Sequence, residues 1–304
     1  SKCFDKIDHN YLLKKLQCPK PVKRQVKSWL KAGIMDNGAF KKTEAGTPQG
    51  GVISPLLANI ALDGMIRDIE KQFPKTCTYG GRVNGKEVSI HEPPIRIIRY
   101  ADDFVVLHPK LEVIYKAKEA IEAWLGQAGM ELKPEKTRIC HTLNPLWIEE
   151  SELTEEPGFD FLGFNIRQYP VSKHKSGKGG GGKSAKPKSY TTLIKPSKKA
   201  IKAHHDSLKR VIKSHKTAPQ AGLIGNLNPI IKGWANYYSG VAAKETFSSE
   251  DYILWQMLRA WSVSRRGKKQ KAKAIRKYYR QGRHGKWTFA TADGLTLWKH
   301  TDVK

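Results

Sequence analysis

No apolar stretch of this 304-residue chain approaches the roughly 20 residues that a membrane-spanning helix requires. No secretory leader pattern is visible either. Cysteine is scarce and scattered. Cys3, Cys18, Cys77 and Cys140 form no C-x-x-C pair, which argues against a zinc ribbon or a disulfide scaffold. They read as free thiols in a reducing compartment. Acidic residues are few, 28 against 55 Lys and Arg, and their scarcity is local. Residues 1–159 hold 24 basic and 21 acidic side chains, whereas residues 160–304 hold 31 and 7. A merely solvated surface would not segregate charge in this way. The second half is built to meet a polyanion, and nucleic acid fits better than an acidic membrane surface.

Three zones follow one another. Up to about residue 169, helix and strand patterns mix. Val113, Ala117, Ala120, Ile121, Trp124 and Leu125 recur near helical spacing, and Gly129 ends that helix. IRIIRY and FVVLH, around a short acidic turn, predict a hairpin over residues 95–107. The stretch SKHKSGKGGGGKSAKPKS, from residue 172, is Gly-, Ser- and Lys-rich and reads as a basic loop or linker. From about residue 190 the pattern is helical. Ile201, His205, Leu208 and Ile212 are expected on one face, Pro229 at the head of a short helix, and Ser248 with Asp251 at a capping-box-like start. A run of Arg and Lys with interleaved Tyr278, Tyr279 and Trp287 closes the chain; those rings suit stacking on bases.

The most chemical segment is RYADDFVV, residues 99–106. Side chains of a strand alternate between faces, so adjacent Asp102 and Asp103 serve one site only at a turn. A paired acidic turn on an apolar hairpin offers hard oxygen ligands suited to Mg²⁺. Two such ions about 3.5–4 Å apart activate an attacking hydroxyl and steady a leaving pyrophosphate. By itself the motif is equally a solvated hairpin turn. Upstream, Pro48-Gln49-Gly50-Gly51 forms a loop before a helix whose apolar face is expected at Leu56, Leu57, Ile60 and Ala61. Glycines there let a backbone approach a nucleotide closely.

Taken in order, SKCFDKIDH, PQGGVISPLLANI, YADDF, LKPEKT and FLGFNI resemble the palm motifs of reverse transcriptases, in the form found in bacterial group II intron proteins. LNPIIKGWANYYSGV resembles the maturase, or X, domain that serves those proteins as a thumb. The resemblance implies an α+β fold: a palm with an antiparallel sheet packed on helices, then an all-helical thumb. Its implied limits are palm with part of the fingers over 1–169, flexible basic loop 170–190, thumb 191–264, and the start of a DNA-binding segment 265–304.

The same resemblance implies roles. Asp102 and Asp103 bind metal, with two Mg²⁺ ions expected. Lys2, Phe4, Gln49, Gly50 and Gly51 meet the nucleotide, Phe4 as a gate against a 2′-hydroxyl. Lys136 acts as general acid toward pyrophosphate. Leu162, Gly163 and Phe164 grip the primer end. Arg265, Arg266, Lys268, Lys269, Lys271, Lys273, Arg276 and Lys277 hold nucleic-acid phosphates. The implied partners are group II intron RNA, target DNA and deoxynucleotides, in a bacterial cytoplasm or an organelle, with no membrane. A third metal-binding Asp, five residues before Phe4 in the family, would precede Ser1, so this stretch by itself is expected not to polymerise. Asp8 is expected to cap the next helix instead. The other readings are an RNA-binding splicing cofactor without polymerase activity, and a non-intron reverse transcriptase of a defence-linked or diversity-generating kind.

Overall fold

The computed structural model describes residues 7–32, 34–36, 39–41, 46, 53–73, 77–83, 86–148, 153–171, 189–265, 271–281 and 287–303. The chain folds as two compact units, residues 1–139 and 140–304.

In the first unit, helix α1 (His9–Lys15) begins where Asp8 accepts a hydrogen bond from the Tyr11 amide at 2.6 Å, the capping role expected of it. Helix α2 (Lys20–Lys31) carries Pro21 in its first turn, where a missing N–H costs nothing, and buries Val26 and Leu30. Two short hairpins are made by β1 (Ile34–Asp36) with β2 (Ala39–Lys41), and by β3 (Cys77–Val83) with β4 (Lys86–Glu92). Between these hairpins lie α3 (Ser54–Ala61) and α4 (Met65–Glu70). On α3 the inward row is Ser54, Leu57, Ala58 and Ala61, while Leu56 is 57% exposed. The expected inward place of Leu56 is therefore corrected: helical geometry turns Ala58 toward the core in its stead.

Strands β5 (Arg96–Tyr100) and β6 (Asp103–Leu107) pair antiparallel in the predicted hairpin. Helix α5 (Leu111–Gln127) follows and ends near Gly129, which takes a φ of +72° that a side chain would resist. Ile7, Leu12, Leu57, Met65, Ile69, Ile97, Ile121 and Leu125 form one core under these elements.

The second unit opens with β7 (Leu146–Ile148) paired to β8 (Leu153–Glu155). A three-stranded antiparallel sheet follows, with β10 (Phe164–Pro170) between β9 (Phe159–Phe161) and β11 (Tyr190–Pro196). The Val171 amide donates to the Ser189 carbonyl at 2.9 Å. The basic Gly/Lys-rich stretch thus connects two strands of one hairpin, and the helices begin only after β11.

Helix α6 (Lys198–Ser214) is capped by the Ser197 hydroxyl; α7 (Gln220–Tyr238) and α8 (Lys244–Ser264) pack with it. Helix α9 (Lys271–Tyr278) runs into β12 (Tyr279–Gln281), which pairs with β13 (Trp287–Phe289). A 3-10 turn at His300–Asp302 docks on α8. No helix among the described residues is long and apolar enough to cross a membrane.

Two local expectations fail here, each overruled by burial. Pro229 lies inside α7, not at a helix start, because buried Leu223, Ile224 and Leu227 before it and Ile231, Ala235 and Tyr238 after it hold one continuous helix. That burial outweighs the roughly 3 kcal/mol an interior proline costs. Ser248 does not start α8: burial of Ala243 and Phe247 extends the helix back, and its hydroxyl donates to the Lys244 carbonyl one turn earlier. Helix α6 turns two histidines inward: His204 is buried, and the partly buried His205, expected on that face, sets its Nε2 2.6 Å from a carboxylate oxygen of buried Glu250 on α8.

Candidate active-site hairpin and its supports

The β5–β6 hairpin turns on Ala101 and Asp102, with Tyr100 paired to Asp103 across its mouth. Ala101 takes a φ of +54°, an unusual conformation for a residue with a side chain. Ile97 faces the core, and Phe104 and Val106 pack against it from the partner strand. This anchors the hairpin and leaves its tip outside. Asp102 is half-buried and Asp103 exposed. The nearby Arg99 does not neutralise them: its guanidinium donates to the Ala101 carbonyl at 2.8 Å and to Asn59 Oδ1 of α3 at 3.2 Å. The tip is thereby tied to the helix that follows the PQGG loop. Both sequence-predicted acids stand at the tip, Asp102 in the turn and Asp103 at the start of β6, and offer carboxylate oxygens there. Among the described residues no group of three or more His, Cys, Asp or Glu side chains gathers there or elsewhere to hold a metal. A pair of carboxylates still suits Mg²⁺, which keeps several waters and takes one or two carboxylates plus substrate phosphates.

Around this hairpin the motif segments are tied by their backbones. The Gly46 amide donates to the Ile7 carbonyl at 2.8 Å, and buried His9 Nε2 reaches the Gly46 carbonyl at 2.7 Å. The Asp8 amide donates to the Ala128 carbonyl at 3.0 Å. The chain after SKCFDK thus meets both the approach to the PQGG loop and the end of α5. Lys2, Phe4, Gln49, Gly50 and Gly51 lie outside the described residues. Lys136 is exposed on a 3-10 turn, Pro134–Lys136, closed by Thr137 bonding back to the Lys133 carbonyl.

In the second unit, Leu162 and Gly163 form the two-residue turn between β9 and β10, with φ of +50° and +81°. Positive φ at both positions matches the twist of a tight hairpin. Tyr237 Oη donates to the Leu162 carbonyl at 2.9 Å and Tyr238 Oη to the Gly163 carbonyl at 3.0 Å. The Ser197 amide adds a third bond, to Gly163, at 2.8 Å. The Phe164 ring stacks on Tyr237 and meets Tyr238 edge-on, each with centroids 5.0 Å apart. Burial, and after it the neighbouring Tyr237, hold the Tyr238 phenol above its ordinary range, so it remains a donor. Sequence reasoning did not assign Tyr237 and Tyr238 this place; their adjacency in WANYY was the available signal.

The basic segment divides. Arg266, Lys268 and Lys269 lie outside the described residues, and Lys271 opens α9. Arg265 is engaged internally: its guanidinium lies over the Trp261 ring and donates to the carbonyls of Lys216, Thr217 and Ala218. Lys273, Arg276 and Lys277 are exposed on α9, opposite buried Ala274 and Tyr278. Tyr278 and Tyr279 sit in the core with Trp261 and Phe289, which corrects their expected role as stacking platforms. Trp287 remains 49% exposed.

Comparison with known proteins identifies the family. Residues 1–166, more than half of the chain, match the family model described as reverse transcriptase (RNA-dependent DNA polymerase). Residues 201–279 match the group II intron, maturase-specific domain. The chain is 29% identical over 212 residues to the group II intron-encoded protein LtrA of Lactococcus lactis subsp. cremoris, covering 54% of this chain and 33% of that protein. It is 29% identical over 189 residues to Protein YkfC of Escherichia coli K12, covering 55% and 45%. A putative COX1/OXI3 intron 1 protein of Saccharomyces cerevisiae is 28% identical over 211 residues, covering 57% and 24%. The chain therefore spans less than half the length of these curated relatives. With a palm match over its first half, an acidic hairpin at the motif position and a maturase-specific domain behind it, the chain belongs to the reverse transcriptase family, in its group II intron maturase branch.

Proposed function

We propose that this protein copies group II intron RNA into DNA, and that its helical unit binds the same RNA and assists its splicing. Reverse transcriptases work with divalent metal ions, and here we assign Mg²⁺ to Asp102 and Asp103. The observation that carries the reading is the open two-residue tip of the β5–β6 hairpin. It carries Asp102 in the turn and Asp103 at the first position of β6, both outside the core, and Arg99 ties the turn to α3. When bound, the metal supplies charge stabilisation to the reacting phosphate and lowers the pKa of the attacking hydroxyl. The protein's own part is to fix the acids and the strands around them. Ala101 and the Arg99 bond restrict the turn, and the core residue Ile97 holds the hairpin base.

The remaining roles extend that reading by resemblance. Lys2, Gln49, Gly50 and Gly51 hold the incoming deoxynucleotide. Phe4 screens its sugar, and Lys136 delivers a proton to pyrophosphate. Leu162, Gly163 and Phe164 hold the primer end. Lys273, Arg276 and Lys277, with the basic residues just before α9, neutralise phosphates of intron RNA and target DNA. Phosphate contacts of that kind position a nucleic acid without reading its sequence.

The test is Asp102→Ala with Asp103→Ala in the intact protein. cDNA synthesis on an RNA template with Mg²⁺ should fall by roughly a thousandfold or more, since metal-borne charge stabilisation is worth several kcal/mol. RNA affinity and splicing assistance should persist, because the basic half is untouched. Synthesis that survives the double substitution, or RNA binding lost along with it in a folded protein, would defeat the proposal.

A further inference from the structure

Helix α8 carries two aromatic rows. One is inward, with Leu254, Leu258 and Trp261 in the core. The other faces solvent: Tyr252 is 59% and Trp255 38% exposed, their rings near parallel at 19°, and the Arg259 guanidinium lies 5.3 Å from the Trp255 centroid. The spacing 252, 255, 259 keeps these three side chains on one face. A solvated helix face does not need two large rings, and their burial against this chain is incomplete.

Trp255 is also one wall of a cleft. Trp287 of β13, Trp298 and Lys299 form others, Tyr279 and Phe289 line it as well, and its cavity volume is about 60 Å³, open to solvent. Indoles from α8, from β13 and from the segment before the 3-10 turn therefore converge on one space. Lys232 sets its ammonium 4.8 Å from the Trp298 ring centroid. Lys299 thus lines the cleft, and Arg259 and Lys232 lie over the rings of two of its walls, in the half of the chain that holds 31 basic and 7 acidic residues. The carboxylate in its lining, Asp251, is occupied: its oxygens accept from the His300 amide and Nδ1 and from the Thr301 amide and hydroxyl. One lining group is not satisfied. Tyr279 is 2% exposed, and its hydroxyl meets no hydrogen-bond partner among the described residues. A buried polar orphan on a cleft wall points to a ligand or a bridging water.

We propose that this cleft receives one unpaired base of single-stranded RNA, stacked on Trp255 and Trp287, with neighbouring phosphates meeting Arg259, Lys232 and Lys299. Aromatic faces take any base, because every base offers a π-face, and cations at the rim take the backbone on either side. The inference rests on the reading that the second unit binds intron RNA. It adds a place on that unit and a preference: unpaired over paired RNA. Duplex RNA keeps its bases stacked on each other and has none to offer.

The experiment compares the protein with its Trp255→Ala/Trp287→Ala variant, using a single-stranded oligoribonucleotide and the same sequence annealed as a duplex. Both rings are substantially exposed, so folding should hold, and circular dichroism checks it. Loss of stacking should weaken single-strand binding by roughly tenfold or more. Duplex affinity and the slope of binding against salt should stay unchanged, because no phosphate contact is removed. Trp255→Phe should restore most of the single-strand affinity, and tryptophan emission should be quenched when the single strand binds. Equal affinities of the double variant and the parent for single-stranded RNA would overturn the cleft assignment while leaving RNA binding intact. Equal weakening on both RNAs would overturn it as well, since it would place the rings in general binding. A parent protein that binds neither RNA would overturn the functional reading itself.

Discussion

Two hairpins of this chain turn on two residues each, and they use their turns in opposite ways. At β5–β6 the tip stands open. Ala101 and Asp103 are exposed, and the tether nearest the tip is the Arg99 guanidinium, reaching Asn59. At β9–β10 the tip is held from three sides. Tyr237, Tyr238 and the Ser197 amide donate to the two turn carbonyls, and Phe164 packs against both tyrosines. The first turn displays side chains; the second commits its main chain. Each also carries a residue with a side chain at positive φ, Ala101 and Leu162. Under the proposed function the difference has a reason. Carboxylates that must meet substrate phosphates need an open tip, whereas a turn that positions a primer end works as a fixed shape. The strain at β9–β10 is offset by hydrogen bonds, while at β5–β6 far less is arranged to offset it.

The largest effect is expected from breaking the closed turn. A Cβ on Gly163 would lie 2.7 Å from the Tyr238 hydroxyl, and its φ of +81° disfavours any L side chain. Gly163→Ala should cost about 2–3 kcal/mol, combining roughly 1–2 for the left-handed backbone with about 1 for the displaced hydrogen bond. A thermal midpoint lower by about 4–12 °C would register it in a unit of this size. A midpoint unchanged within error would mean that the tyrosine clamp yields freely and that the contrast between the turns is superficial.

A smaller effect separates the clamp's hydrogen bonds from its packing. Tyr237→Phe/Tyr238→Phe keeps both rings against Phe164 and removes only the hydroxyls. Gly163 retains the Ser197 amide, and Leu162 turns to water beside the exposed Tyr237. The pair should cost about 1–2 kcal/mol by chemical denaturation, near the ordinary worth of two such bonds. Alanine at both positions should cost more, as aromatic pairs add roughly 0.5–1.5 kcal/mol each. Equal losses for Phe and Ala would assign the clamp to its hydroxyls alone.

How much of this was legible beforehand follows from the physics of each feature. The YADD hairpin was readable because apolar alternation on both sides of two acids leaves few other conformations. Helix α5 was readable from its spacing and from Gly129. The pairing of β10 with β11 was hidden by the 172–189 stretch, whose composition speaks only of solvation and not of what its ends do. Pro229 and Ser248 misled because local punctuation was weighed without the burial that overrides it. Tyr278 and Tyr279 were drawn outward by the surrounding Lys and Arg, although both pack against Trp261 or Phe289. The clamp on Leu162 and Gly163 joins positions 75 apart in the chain, and no local pattern encodes such a pairing. Arg99 and Asn59 share that property at a separation of 40.

The smallest expected effect is at the open turn, and its sign is opposite. Ala101 holds a φ of +54° at the tip of the acidic hairpin. Glycine adopts that conformation freely, so Ala101→Gly should relieve about 1–2 kcal/mol of backbone strain. Part of the gain is returned, because glycine gives the unfolded chain roughly 0.4–1 kcal/mol of additional conformational freedom. The net outcome should be a first unit more stable by up to about 1 kcal/mol, seen as a thermal midpoint raised by a few degrees. Activity should move the other way. The restricted Ala101 limits where Asp102 and Asp103 stand, and the Arg99 bond to its carbonyl acts on the same residue. A freer turn should slow cDNA synthesis by about fivefold, equivalent to about 1 kcal/mol of barrier, with RNA affinity unchanged. A rise in stability with no loss of rate would show that the acids need no help from a strained turn. A fall in stability would show that the turn is not strained, and the two hairpins would then differ only in what surrounds them.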